Sequence, residues 1–337
     1  MDVVRKAIYM LSVLCVAALW GGCQRGGGEE GTAEVTLRFA TRADGTDGTD
    51  PNALPNEGIK TLRIVLYHED GTFYRSEWRS VNSGGDGAVL ATSVRIYDVP
   101  LGKYRFYIIA NEESVGGKYG EEVIGEYSEE TFRQLSITDV DNTYFPKKEN
   151  EIAAAGLPMA GQSGVVTVEK GMESLEITLE RTVVKLKVTL INATYEDMTV
   201  ESIDFGRFIA NGMNWFAPGV PTGVSYQERS FVESTSIATG GRAEFVYYVY
   251  PSRATGSQGQ SAYTMGLQTS GSDYEKKPFV RAGNSGELSR MNRNEQYNIQ
   301  ATVNQEGIVF NASVDPWGES HAGGDINIGS EDEVSGN

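Results

Sequence analysis

The chain has 337 residues, with 46 acidic against 29 basic side chains and a formal net charge of −17. That balance excludes a nucleic-acid partner, because binding a phosphate backbone needs clustered Lys and Arg. The two cysteines and two histidines form no Cys/His cluster with zinc-ligand spacing, and the length predicts about two domains of roughly 100–200 residues each.

The N-terminus opens with Arg5 and Lys6, followed by the almost wholly apolar run Ala7–Trp20. A positive start and a short apolar run are the layout of a secretory signal, and the run falls short of the ~20 residues that span a bilayer. Gly21 and Gly22 then precede Cys23. A cysteine after small residues at this place resembles a bacterial lipobox, with Trp20 where that motif favours Leu. Residues 1–22 are therefore expected to be a lipoprotein signal peptide and Cys23 the lipidated first residue. The other reading is an ordinary cleaved signal with a free cysteine nearby. Cys15 falls in the signal, so the mature chain has no intrachain disulfide. Residues 23–32, rich in Gly and Glu, are expected to be a flexible tether.

Strand signals dominate the rest of the chain. Glu34–Phe39 alternates, with Val35, Leu37 and Phe39 on one face. Thr61–Tyr67 runs into His68-Glu69-Asp70-Gly71 and Thr72-Phe73-Tyr74, a hairpin signal. Lys103–Ala110 is a strongly apolar strand entered through Pro100-Leu101-Gly102. Glu129–Leu135 suggests a short helix, and Val165–Val168 and Leu175–Leu179 suggest further strands. The apolar parity then changes, from Leu175, Ile177 and Leu179 to Val184, Leu186, Val188 and Leu190. A strand keeps one parity per face, so the chain either bulges near Arg181-Thr182 or passes there from one sandwich to the next. Later strands are expected at Ile203–Phe205, Phe245–Tyr250, Tyr297–Val303 and Ile308–Val314. Many short strands with Gly, Ser and Thr between them predict an all-β fold of two antiparallel sandwiches.

Catalytic signatures are missing from the sequence. It holds no HExxH, GxSxG or phosphate loop. His68 abuts the hairpin turn and reads as a solvated turn residue, and His321 sits in a Gly-rich tail. Asp44–Asp50 places acids every third residue, whereas an EF-hand loop alternates its oxygens, so a linker is the better reading than a calcium loop. No metal, no cofactor and no enzymatic activity are expected. Asn192-Ala193-Thr194 and Asn311-Ala312-Ser313 match an N-glycan acceptor pattern, which is accidental in a bacterial lipoprotein.

A set of stretches, in order along the chain, resembles the fimbrillin family of Bacteroidales, the subunits of type V pili. Val99–Asn111 resembles the family's Gly-then-aromatic strand ending in Ala-Asn. Leu157-Pro158-Met159-Ala160-Gly161 is similar to its "(I/L)PM(A/S)G" segment, and Leu179–Leu186 to its crossing strand. Arg293–Ile299 resembles "R-N-x-x-Y-x-I", and Pro316-Trp317-Gly318 the closing Trp-Gly motif.

The resemblance implies two transthyretin-like β-sandwich domains in tandem. These would be an N-terminal domain over 33–181, with its first strand at 33–40 and a cleavable loop at 41–58, a C-terminal domain over 182–320, and a Gly/acidic tail over 321–337. It implies export as a lipoprotein to the outer membrane. An arginine-specific protease then cuts after the first strand, and a C-terminal strand of another subunit fills the opened groove. The match for the cut is Arg42–Ala43, since Arg42 directly follows the strand and opens a polar loop of the kind proteases nick. Arg38 is the competitor inside the strand. The donor is either Ile326 and Ile328 or the alternating Ile308/Phe310/Ala312/Val314. The implied partners are other copies or related pilus subunits, the lipid anchor and the protease. The implied location is the outer membrane, then a surface fimbrium supporting adhesion. The alternative is a lipid-anchored carbohydrate-binding lipoprotein, using Trp78, Trp215 and the tyrosines, with Met213–Phe216 as the best patch, to stack on sugars, although buried sandwich aromatics are the commoner explanation of such residues. A hydrolase ranks last, for want of a nucleophile–base pair.

Overall fold

The computed structural model describes residues 31–41, 54–81, 88–117, 119–152, 154–257, 260–280 and 286–317. Its strands in chain order are β1 Thr32–Ala40, β2 Thr61–His68, β3 Phe73–Ser80, β4 Ala91–Pro100, β5 Gly102–Ala110, β6 Ser136–Thr138, β7 Lys147–Lys148, β8 Met159–Gln162, β9 Val166–Val168 and β10 Leu175–Thr178. They continue with β11 Glu180–Arg181, β12 Val184–Asn192, β13 Met198–Ala210, β14 Gly212–Asn214, β15 Tyr226–Ile237, β16 Arg242–Val249, β17 Thr264–Thr269, β18 Asp273–Pro278, β19 Glu295–Asn304 and β20 Gly307–Pro316. The fold is all-β. The expected short helix is Glu129–Arg133, capped by the Ser128 hydroxyl, which accepts from Thr131 N.

Two sheets form the first half of the fold, ordered β10-β1-β4 and β11-β8-β5-β2-β3, with β9 also on β5. Two more form the second half, ordered β20-β19-β12-β16-β7 and β15-β13-β17-β18. Most pairs are antiparallel. Among the described residues two are not: β1 runs parallel to β10, and β12 parallel to β19. The alternation in each strand sets the face but says nothing of neighbour direction, so the sequence carried no signal for either parallel pair.

The unbroken apolar runs of β2 and β5 have a simple cause. Leu62, Ile64 and Leu66 of β2 face the core shared with β1, while Val65 and Tyr67 face a second core on the other side. Phe106 and Ile108 of β5 join the first core, Tyr107 and Ile109 the second. A strand buried on both faces needs apolar side chains at every position. Arg63 is the exception in β2. Its guanidinium meets the Glu112 carboxylate with two hydrogen bonds, Nη2 to Oε1 at 2.6 Å and Nε to Oε2 at 2.7 Å, which satisfies both charges where water is excluded. A third core lies between the second pair of sheets, built on Leu186, Val188, Ile203, Phe205, Tyr247 and Ile299.

The parity change marks a passage between these cores. Leu179 belongs to the first, Val183 to the second and Val184 to the third. In between, the chain leaves β10 in one sheet and pairs β11 with β8 in the facing sheet.

Asn111, at the end of β5, explains the Ala-Asn motif. It takes a left-handed conformation with φ 57°, which Asn tolerates better than most residues. Its buried amide is fully used: Nδ2 donates to Gly58 O and Leu157 O, and Oδ1 accepts from Lys60 N and Thr61 N. Asn111→Ala should therefore lower stability by about 3–5 kcal/mol, from orphaned partners and a strained left-handed residue. Asn111→Gly should recover only the backbone part. Urea unfolding of the three chains measures the difference.

Candidate functional site: the first strand and its groove

The first strand lies in the middle of its sheet. β4 pairs with it antiparallel, from Thr32↔Pro100 to Ala40↔Ala91, and β10 parallel, from Leu37↔Leu175 to Ala40↔Thr178. Its ends are tied as well: Leu101 N donates to Gly31 O, Thr41 N to Leu90 O and Leu179 N to Ala40 O. Val35, Leu37 and Phe39 are 0, 0 and 1% exposed, as their alternation predicts. They pack against Leu62, Ile64, Leu66, Phe106 and Ile108.

Burying three such side chains contributes about 5–8 kcal/mol before any hydrogen bonds. That rivals the whole stability of an ordinary domain. Because both neighbours remain when β1 is taken away, its removal would expose two facing rows of backbone donors and acceptors above an apolar floor. Such a gap accepts another strand of the same pattern.

The other sequence expectations fall unevenly. Arg38 is exposed, but its backbone is paired on both sides, opposite Ser93 and Glu176. Arg42, Ala43, Cys23, Ile326, Ile328, His321 and the Asp44–Asp50 loop lie outside the described residues. The competing donor segment is the edge strand β20, laddered along β19 from Asn304↔Gly307 to Glu295↔Pro316. Ile308, Phe310 and Ala312 of β20 are built into the third core, while Val314 is 38% exposed.

The candidate sugar-binding patch takes the commoner of its two readings, that of buried sandwich aromatics. Met213 and Trp215 are 0% exposed and Phe216 is 7% exposed, so none presents a face to a ligand. The Trp215 indole instead donates to the Tyr119 hydroxyl at 2.9 Å, inside the second core. Burial pushes that Tyr119 phenol up to about 12. Trp78 is exposed, with its indole nitrogen donating to Glu113. His68 is less solvated than expected, its ring lying 4.9 Å from Tyr104 and 5.4 Å from Tyr74. Among the described residues no group of three or more His, Cys, Asp or Glu is placed to hold a metal ion.

Sequence reasoning missed β4, one wall of the groove. Its burial alternates only weakly, and Asp98 breaks its pattern with a φ of 58°. It also missed Glu57, which is 1% exposed in a polar stretch. Glu57 Oε1 accepts from Lys185 Nζ at 2.7 Å and from the Tyr248 hydroxyl at 2.8 Å. Burial, then the nearby Glu57 charge, holds the Tyr248 phenol far above its ordinary value. No local pattern announces such a carboxylate, because its partners lie far along the chain.

The architecture is shared with surface-fibre and adhesion proteins. The tip fimbrial protein Mfa3 of Porphyromonas gingivalis, solved with a C-terminal truncation, superposes with a TM-score of 0.61 at 14% identity, covering 85% of this chain and 100% of that one. A fimbrilin from Porphyromonas gingivalis W83 gives 0.51 at 16% identity, over 86% and 98% of the two chains. A putative cell adhesion protein from Bacteroides eggerthii gives 0.52 at 13%, over 86% and 97%. At these identities the likeness is one of fold. A comparison with curated proteins finds no match. Residues 33–199 match the model of the major fimbrial subunit protein FimA, and the chain belongs to the fimbrillin family of Bacteroidales. Its relatives there are fimbrial and adhesion proteins, not enzymes.

Leu37→Ala should cost about 2–5 kcal/mol, the range for emptying a fully buried leucine site. Hydrogen exchange should rise first in β1, and urea unfolding gives the size of the loss. A loss under about 1 kcal/mol would mean the groove floor closes readily around a smaller side chain.

Proposed function

We propose that this fimbrial subunit is exported as a lipoprotein on Cys23, cut between Arg42 and Ala43 by an arginine-specific protease, and polymerised by strand exchange into the vacated groove. The single observation that carries the reading is the central position of β1, paired on both sides and fully buried along Val35, Leu37 and Phe39. The cut falls where β1 has just ended. Upstream, Arg38 is protected by its ladder, so Arg42 is the better substrate of the two.

Cutting alone should not release β1, since its burial outweighs the loss of one covalent link. Exchange is favoured when another copy, or a related pilus subunit, offers a strand with matching apolar alternation. β20 is too well integrated to serve without unravelling its own core. That leaves the segment containing Ile326 and Ile328 as the donor. In this reading 33–181 and 182–320 are two tandem transthyretin-like sandwiches, 41–58 is the cleavable loop and 321–337 the tail. The chain passes from a lipid anchor in the outer membrane to the surface fimbrium. The carbohydrate-binding alternative has lost its best patch to burial.

N-terminal sequencing with intact mass, on protein sheared from native cells, decides between the states. The expected start is Ala43. Arg42→Gln should leave the chain uncut, lipidated at Cys23 and unable to polymerise. Normal fibres from that variant would reject this cut site.

A further inference from the structure

The last described residue of the chain is held in an unusual seat. Trp317 follows the final ladder pair of edge strand β20, Glu295↔Pro316, and is 4% exposed. The Tyr248 ring stacks on it, with centroids 5.7 Å apart and planes 16° from parallel. The Arg181 guanidinium carbon lies 4.6 Å from the indole centroid and Lys185 Nζ 5.7 Å. Trp317 N donates to Asn294 O, and Asn294 Oδ1 accepts from Arg181 N. Glu57 braces this group from the first half, accepting from Lys185 and Tyr248, and from Arg181 Nη2 at its backbone oxygen, 3.4 Å away. The indole Nε1 is buried with no hydrogen-bond partner among the described residues, so the ring is held by stacking and by cations.

The seat lies close in sequence to the groove. Leu179 N donates to Ala40 O at the end of β1, and Arg181 is two residues further on. From these contacts we infer that Trp317 is a positioning residue for the assembled fibre, a rivet that stops β20 from peeling when the tail beyond it is pulled. The inference rests on the proposed tail-in-groove assembly. An edge strand pulled from its end loses its ladder bonds one at a time, and Trp317 stands first in that line. With the rivet in place, tension on the tail passes through Arg181 to the crossover that also bonds the strand in the groove. The crossover is itself firmly held: Thr182 donates twice to Pro158 O, and Glu180 pairs with Arg293 at 2.7 Å. Emptying the groove removes only one bond from it, so it acts as a fixed strut rather than as a release switch.

The test uses the full chain, before and after processing, with Trp317→Ala, Trp317→Phe and Arg181→Met. In the uncut monomer, Trp317→Ala should raise exchange of the last β20 amides about tenfold or more while leaving β1 unchanged. Processed Trp317→Ala and Arg181→Met should still polymerise, but their fibres should break to several-fold shorter lengths under a fixed shear, with Trp317→Phe restoring length. Fibres of Trp317→Ala as long as wild type after shear would overturn the rivet, as would an exchange increase spread evenly over the molecule. A wild-type chain that is cut yet forms no fibre overturns the assembly reading and the tension path together. The monomer exchange then reads Trp317 as a contact of the fold alone.

Discussion

The strands β2 and β5 are apolar on both faces, and the rest of the first half is arranged to keep both faces from water. On one side the cover is the small sheet that contains β1. On the other it is a mixture of the Glu129–Arg133 helix, the β14 region with Trp215, and the aromatic residues Tyr248 and Tyr250 in and just after β16. These two covers differ in kind. The second is made of segments spread over the chain and cannot be withdrawn as one piece. The first depends on one nine-residue strand close to the N-terminus.

That asymmetry links stability to the proposed assembly. A covering strand bonded on both edges is hard to lose and, once lost, leaves a site already shaped for a replacement. In the proposed assembly, the burial that stabilises the uncut chain would also drive the exchange. On the same proposal a strand of the second half would be a poor replacement, because Ile308, Phe310 and Ala312 already cover a core of their own.

Much of this was legible in the sequence, and the reasons are local. Alternation in Val35, Leu37 and Phe39 identified the buried face of β1. The apolar runs in β2 and β5 marked strands, while their cover on both faces emerged from the packing. The shift in parity after Leu179 located the place where the chain moves between cores. What stayed hidden depends on contacts distant in sequence. Neither parallel neighbour of β1 and β12 leaves a trace in its own strand. Glu57 looks like any loop acid until Lys185 and Tyr248 are brought against it. The Met213–Phe216 patch stayed open between two readings for the same reason: aromatic residues near a turn can face outward or inward, and packing decided for the buried one.

The two edges of the groove are not equivalent. One presents the perpendicular bonds of an antiparallel pair, the other the slanted bonds of a parallel pair, and only one strand direction satisfies both. The shift in register between Ala33 and Val35 adds a landmark near one end, so sliding is resisted as well. A filament grown through such a site would have a built-in arrow. Every member would face the same way, the two ends would be chemically distinct, and growth and capping would be confined to opposite ends.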